Sequence, residues 1–219
     1  MGALTLDKAY ADYGGSPVLG PIDLNIKPGE HVALVGRSGA GKSTLLALLH
    51  DRRRRDIALM PQDLGLVDTL SVFHNVYMGQ LAAHSSGYNL INLLRPFRQQ
   101  VLAVRGVLEP LDMEASIWTR TGELSGGQRQ RVAVARSLFQ RGNVLLADEP
   151  VSALDGPRSE TVMQALTSQY STTIIAMHDL ALARRYANRL IGIRHGAIAL
   201  DTPADSVSVG ALDALYSSN

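Results

Sequence analysis

The stretch HVALVGRSGAGKSTLLALL, residues 31–49, sets the fold. His31 to Val35 reads as a strand and the apolar run from Leu45 reads as a helix. Between them lies Gly36-Arg37-Ser38-Gly39-Ala40-Gly41-Lys42-Ser43. This octet fits G-x-x-x-x-G-K-[ST], and a strand before it with a helix behind is the context that gives the pattern meaning. The glycines let the backbone wrap a phosphate so that several N–H groups point inward at a helix N-terminus. Lys42 would bridge the β- and γ-phosphates, Ser43 would ligate Mg²⁺, and Thr44 would add a hydroxyl to the cradle. The alternative, a flexible glycine turn, does not need the flanking strand and helix.

Outward from this stretch, short apolar runs recur: ALTL near residue 4, IDLNI at 22–26, IALM at 57–60, VLLAD at 144–148, TTIIAM at 172–177 and RLIGI at 189–193. Several lack in/out alternation, as expected of strands covered on both faces. Helical patterns lie around 42–50, 90–110, 126–140, 157–168 and 179–187. Alternation of strand and helix predicts an α/β layered fold with a mostly parallel sheet. The region from about 70 to 140 is helix-rich, holds the only Trp (Trp118) and offers no convincing strand. It reads as a helical subdomain inserted into the α/β core.

Composition narrows the function classes. The 219 residues are 46% hydrophobic and 19% charged, with a net charge of +1, so no global field favours nucleic acid or a membrane surface. There is no cysteine, which excludes disulfides and Cys-ligated metals. The N-terminus lacks the apolar core of a signal peptide, and no run approaches the about 18 apolar residues of a membrane span. Leu6 stands where myristoylation would want Ser or Thr. The expectation is a soluble cytoplasmic protein.

VLLADEP, residues 144–150, is an apolar strand ending in two acids. That places Asp148 and Glu149 at the C-terminal edge of a sheet, where open α/β sheets bind ligands. Asp148 suits Mg²⁺, directly or through water, and Glu149 is positioned to polarise an attacking water. The competing structural role is to cap the next helix.

Leu124-Ser125-Gly126-Gly127-Gln128 supplies a Ser N-cap, two glycines and a helix carrying Arg129, Arg131 and Arg136. A helix start with exposed N–H groups is a second anion site, and a second site implies two nucleotides or two chains. Here the sequence resembles the ATP-binding cassette family, the ATPase subunits of ABC transporters. The resemblance covers nearly the whole chain. It implies an α/β P-loop NTPase (RecA-like) core with a shortened antiparallel β portion and an inserted helical subdomain. The chain would be one cassette, with its core at about 1–68 and 141–219 and its helical subdomain at about 69–140. The resemblance further implies that Ser125, Gly126, Gly127 and Gln128 contact the γ-phosphate held by a partner's phosphate loop, so that ATP lies between two head-to-tail cassettes. Tyr13 corresponds to the aromatic that stacks on adenine, with Tyr10 the substitute and a strand-face core role the alternative for either. Gln62, ending IALMPQ, corresponds to the glutamine that senses Mg²⁺ and the attacking water and links core to subdomain. Ser152-Ala153-Leu154-Asp155 resembles the loop passing between cassettes, although Asp155 would equally start a helix. His178, after TTIIAM, corresponds to the switch histidine that reaches the γ-phosphate. The other five histidines show no paired metal-ligand spacing and read as surface or hydrogen-bonded residues.

TLSVFHNVYMGQL (69–81) resembles import cassettes, where it docks a permease. With DEPVSALD and RRYANRLIGIRHGAIALDTPAD it looks most like the phosphonate type. The implied function is ATP hydrolysis that energises import of a small solute, a phosphonate or related phosphorus oxyanion. Its expected partners are a second cassette, a transmembrane permease and a periplasmic or extracellular solute-binding protein, with the chain peripheral to the cytoplasmic face of the membrane. Cassettes for amino acids, metals or lipoprotein release are the rivals within the class. A non-transport ABC ATPase acting on DNA or ribosomes is the rival outside it. That rival would need long coiled-coil arms or two cassettes in one chain. The ending at Asn219 leaves no appended regulatory domain in this reading. Only 19 residues separate Lys42 from Gln62, where the family has a longer β segment, and four of them are Arg52 to Arg55. The arginine run reads as a solvated connector across this shortened stretch. Contact with ATP phosphates or anionic headgroups is its alternative.

Overall fold

A computed structural model describes residues 4–14, 16–52, 57–140 and 142–216. Arg53, Arg54 and Arg55 lie outside the described residues, as does the side chain of Arg52. The chain divides into two compact units, one of residues 1–62, 143–150 and 170–219, the other of 63–142 and 151–169.

In the first unit, β1 (Leu4–Tyr13) and β2 (Ser16–Ile26) pair antiparallel as a hairpin. Next come β3 (His31–Val35), α1 (Lys42–Arg52), β4 (Ile57–Met60), β5 (Val144–Asp148), β6 (Thr172–Ala176), α7 (Leu180–Tyr186), β7 (Arg189–Arg194), β8 (Ala197–Pro203) and α8 (Val209–Tyr216). The second unit holds α2 (Val72–Tyr77), α3 (Ser86–Leu94), α4 (Arg98–Leu108), α5 (Gly126–Phe139) and α6 (Gly156–Gln169). Among the described residues no helix is long and apolar enough to cross a membrane.

The main sheet has six strands in the order β4-β5-β6-β3-β7-β8. All its pairs are parallel except β7 with β8. Every residue of β5 and β6 is buried, which is why neither alternates: both faces are covered. Leu45, Leu46 and Leu49 of α1 join one core with Leu34, Leu146, Ile174 and Ile191 of the sheet and Leu6, Leu19 and Ile22 of the hairpin.

Several elements differ from the sequence expectation. The hairpin strands run well beyond ALTL and IDLNI, because charged residues and Pro17 and Pro21 hide a strand whose register shifts at three places. β8 alternates exposed and half-buried residues and ends in Asp-Thr-Pro, so it carries no apolar run to find. The expected helix at 90–110 is two helices. Pro96 disfavours helical geometry at the residue before it, and Arg95 accordingly sits at φ −139°, ψ 89°. Helix α3 is also turned inside out. Asn92 is fully buried and accepts a hydrogen bond from the Phe97 backbone N–H at 2.8 Å, while Leu90 and Leu94 are 59% and 78% exposed.

Candidate active site

Strand β3 ends at Val35 and the chain turns through Gly36 to Gly41 into α1. Two glycines are obligatory. Gly36 has φ +143° and a Cβ there would lie 2.3 Å from the Ile193 carbonyl oxygen. Gly41 has φ +109° and a Cβ would lie 2.9 Å from Leu19. Any side chain at either place would distort or fill the loop. Arg37 and Ala40 close a turn inside it, with Ala40 N–H donating to the Arg37 carbonyl at 3.2 Å, while Ser38 and Gly39 form its tip. Lys42 is 5% exposed, and its Nζ folds back to donate to the carbonyls of Gly36 at 2.8 Å and Arg37 at 3.0 Å. Burial lowers the pKa of this amine, against the opposing pull of Glu149 and Asp148. Ser43 is exposed and Thr44 half-buried in the first turn of α1.

Parallel strands β4, β5, β6 and β3 stand side by side, so their C-terminal ends share one edge. Asp148 ends β5, buried and in register with Ala176 of β6. Glu149 follows in the left-handed region, φ 53°, fixed by its N–H donating to the Ala176 carbonyl at 2.9 Å. That turn brings the Glu149 Oε1 to 2.6 Å from His178 Nε2, just past the end of β6. Because a carboxylate only accepts, the ring nitrogen donates. Neither acid caps α6, which starts at Gly156. Gln62 is exposed, two residues beyond the end of β4. The first unit thus gathers the phosphate loop, Gln62, Asp148, Glu149 and His178 on one sheet edge, where α/β sheets bind ligands. Tyr13 is the last residue of β1, but its side chain lies outside the described residues, and Tyr10 is exposed.

Ser125, Gly126, Gly127 and Gln128 belong to the second unit. Ser125 caps α5 in a reciprocal box: its Oγ accepts the Gln128 N–H at 3.4 Å, and Gln128 Oε1 accepts the Ser125 N–H at 2.9 Å. Gln130 holds the loop before α6, accepting the Ala153 N–H at 2.7 Å and donating to Ser152 Oγ at 3.2 Å. Asp155 accepts from the Arg158 N–H at 3.1 Å and pairs with its guanidinium at 2.7 Å. The Arg158 backbone N–H leads the causes that hold the Asp155 carboxyl below the usual carboxylate range.

One contact had no sequence signal. Tyr216 of α8 accepts the Gly36 N–H through its hydroxyl at 3.3 Å, across 180 residues of chain.

The donor set fits the groups expected of it. The glycine bowl and the Lys42 amine suit phosphate, and the Ser43 hydroxyl with the Asp148 carboxylate are the hard oxygens that Mg²⁺ takes. Fold and site define a phosphate-loop ATPase built as an α/β core with a helical insertion. The ABC transporter family model matches residues 19–56 and 49–152, its two pieces meeting over the arginine run. The chain belongs to the ABC transporter family. The phosphonates import ATP-binding protein PhnC of Trichormus variabilis is 36% identical over 228 aligned positions, covering 92% of both chains. PhnC 1 of Halalkalibacterium halodurans is 38% identical over 212 positions, 84% of this chain and 82% of its own. Among solved structures, the dimeric bacterial ABC transporter cassette MJ0796 superimposes with a TM-score of 0.74 at 27% identity, covering 93% of this chain and 99% of its own. The dimeric post-hydrolysis state of MJ0796 bound to ADP and Pi gives the same TM-score at 26% identity.

Proposed function

We propose that this chain is the ATP-hydrolysing subunit of an ABC importer whose cargo is a phosphonate or a related phosphorus oxyanion. The observation that carries the catalytic reading is the 2.6 Å hydrogen bond between Glu149 and His178, on the sheet edge that also presents Lys42. The loop Gly36 to Gly41, through the backbone N–H groups not already taken by Tyr216 and Arg37, and the first-turn residues Ser43 and Thr44 cradle the phosphates, and Lys42 exchanges its carbonyl partners for phosphate oxygens. Ser43, Asp148 and Gln62 would hold Mg²⁺, which when bound would supply neutralising charge to the phosphates. Glu149 accepts the proton of the attacking water, and His178 orients that carboxylate and reaches the γ-phosphate. Tyr13 stacks on the base. Ser125 to Gln128 close on the nucleotide of a second cassette, and Asp155 keeps the Ser152–Asp155 loop in shape by capping α6.

The names of the PhnC relatives support the cargo. The dimeric MJ0796 cassettes support pairing with a second copy or a second cassette. A permease, a periplasmic or extracellular solute-binding protein and a position on the cytoplasmic face of the membrane complete the reading. The outward leucines of α3 support a docked partner, since a helix that buries Asn92 and exposes Leu90, Ile91, Leu93 and Leu94 is built to be covered. Replacing Glu149 with Gln tests the chemistry. Turnover should drop by about two orders of magnitude or more, with ATP-bound dimer accumulating; turnover at the wild-type rate overturns the assignment. Cargo is tested by deleting the gene and measuring methylphosphonate uptake, which should be lost while amino-acid uptake persists.

A further inference from the structure

The segment leaving Gln62 is bound along α5 by more contacts than a surface loop needs. Leu64 and Gly65 both adopt left-handed backbone, at φ 61° and 55°. Their carbonyls accept from the two terminal nitrogens of Arg136, Leu64 at 2.5 Å and Gly65 at 2.6 Å. Val67 has both backbone groups taken, its N–H by Asn75 Oδ1 and its carbonyl by Thr121 Oγ1, each at 2.8 Å. Asn75 and Thr121 are fully buried. Asp68 pairs with Arg129 at 2.6 Å. Arg129 and Arg136 stand two turns apart and so on one face of α5. The segment therefore runs from the last turn of the helix toward Ser125 at its start. That last turn is itself fixed: Gln80 donates to the Phe139 carbonyl at 2.8 Å, and a Cβ on Gly79 would lie 2.5 Å from the Arg136 carbonyl oxygen.

We propose that Arg136, with Arg129, is a positioning residue that straps the chain leaving Gln62 to the helix presenting Ser125, Gly126 and Gly127. The strap makes a displacement at Gln62 a displacement of the Ser125 motif. A guanidinium is suited to this work because its planar fork holds two N–H donors in a fixed geometry, one for each carbonyl, whereas a lysine would bring a single nitrogen on a flexible stem. Burial of Arg136, which lowers its pKa, agrees with an inward structural charge. The inference rests on the proposed role of the Ser125 motif in closing a dimer.

The test compares Glu149→Gln with Glu149→Gln/Arg136→Lys by light scattering with and without Mg-ATP, alongside nucleotide affinity of the monomer and the unfolding midpoint. The strap predicts unchanged monomer affinity and a ten-fold or greater loss of ATP-driven dimerisation, well below the unfolding midpoint. Gly79→Ala, which displaces the last turn of α5 without touching a guanidinium, should reproduce the loss. Equal dimerisation by the single and double variants overturns the strap. Failure of Glu149→Gln itself to dimerise overturns instead the reading on which it rests. Loss of monomer nucleotide affinity in Arg136→Lys would also overturn it, by showing a general defect.

Discussion

At the scale of a residue, Lys42 shows a functional group held at a cost. Its amine is buried among backbone carbonyls, and the folded state favours the neutral form more than water does. The sign of the linkage follows. Between the lowered folded pKa and the ordinary lysine value the unfolded chain binds more protons, so this group makes stability rise with pH. Below both values the charged amine weighs against the fold. Without nucleotide, wild type should therefore gain stability relative to Lys42→Met as pH rises from 7.5 toward 10, on top of a constant loss in the variant from the Gly36 and Arg37 carbonyls that lack their donor. The same variant should lose ATP-dependent stabilisation altogether. Thermal unfolding at several pH values, with and without Mg-ATP, checks both halves, and a wild type that loses stability relative to the variant as pH rises contradicts the sign.

Elements show what was legible and what was not. The phosphate loop could be read locally because strand, glycines and helix are contiguous, and the acids ending VLLAD because an uninterrupted apolar run has one readable end. The strand order that brings β4 beside β5, and so Gln62 to the edge occupied by Asp148, is a non-local fact. Roles for Gln62, His178 and Ser125 came from resemblance, and Tyr216 and the Arg136 contacts leave no pattern in sequence because their partners are backbone groups far along the chain. Helix α3 was hidden for a different reason. Its leucines satisfy the periodicity of a helix that buries them, yet it is Asn92 that lies inside. Between Asp68 and Glu109 there is no acid, so the face around Arg95 and Arg98 is apolar and basic. Leu90→Glu/Leu94→Glu should leave ATP binding by the isolated chain within about two-fold of wild type, since exposed sites seldom move stability far. Co-purification with the permease should be lost; retention of the permease by the variant removes α3 from the docking face.

For the whole molecule, the division of labour between the two units makes a prediction that neither makes alone. The phosphate loop, Asp148, Glu149 and His178 belong to one unit and the Ser125 motif to the other. If the motif serves a nucleotide held by another copy, defects in the two units should complement across chains. Lys42→Met removes the phosphate amine and keeps the motif. Gly126→Asp removes the motif and keeps the phosphate loop: a Cβ at Gly126 meets nothing within 4 Å, so the fold tolerates it, while the new carboxylate repels a phosphate at the helix start. Each variant alone should be inactive. In an equimolar mixture, random pairing makes half the dimers mixed, and each mixed dimer has one composite site with both halves intact. Activity should therefore return to about a quarter of the wild-type value, as follows from a two-fold arrangement with two equivalent sites. Recovery should grow with total concentration, because it depends on pairing. A mixture no more active than its components would mean that each chain completes its own site, and the head-to-tail arrangement would have to be abandoned.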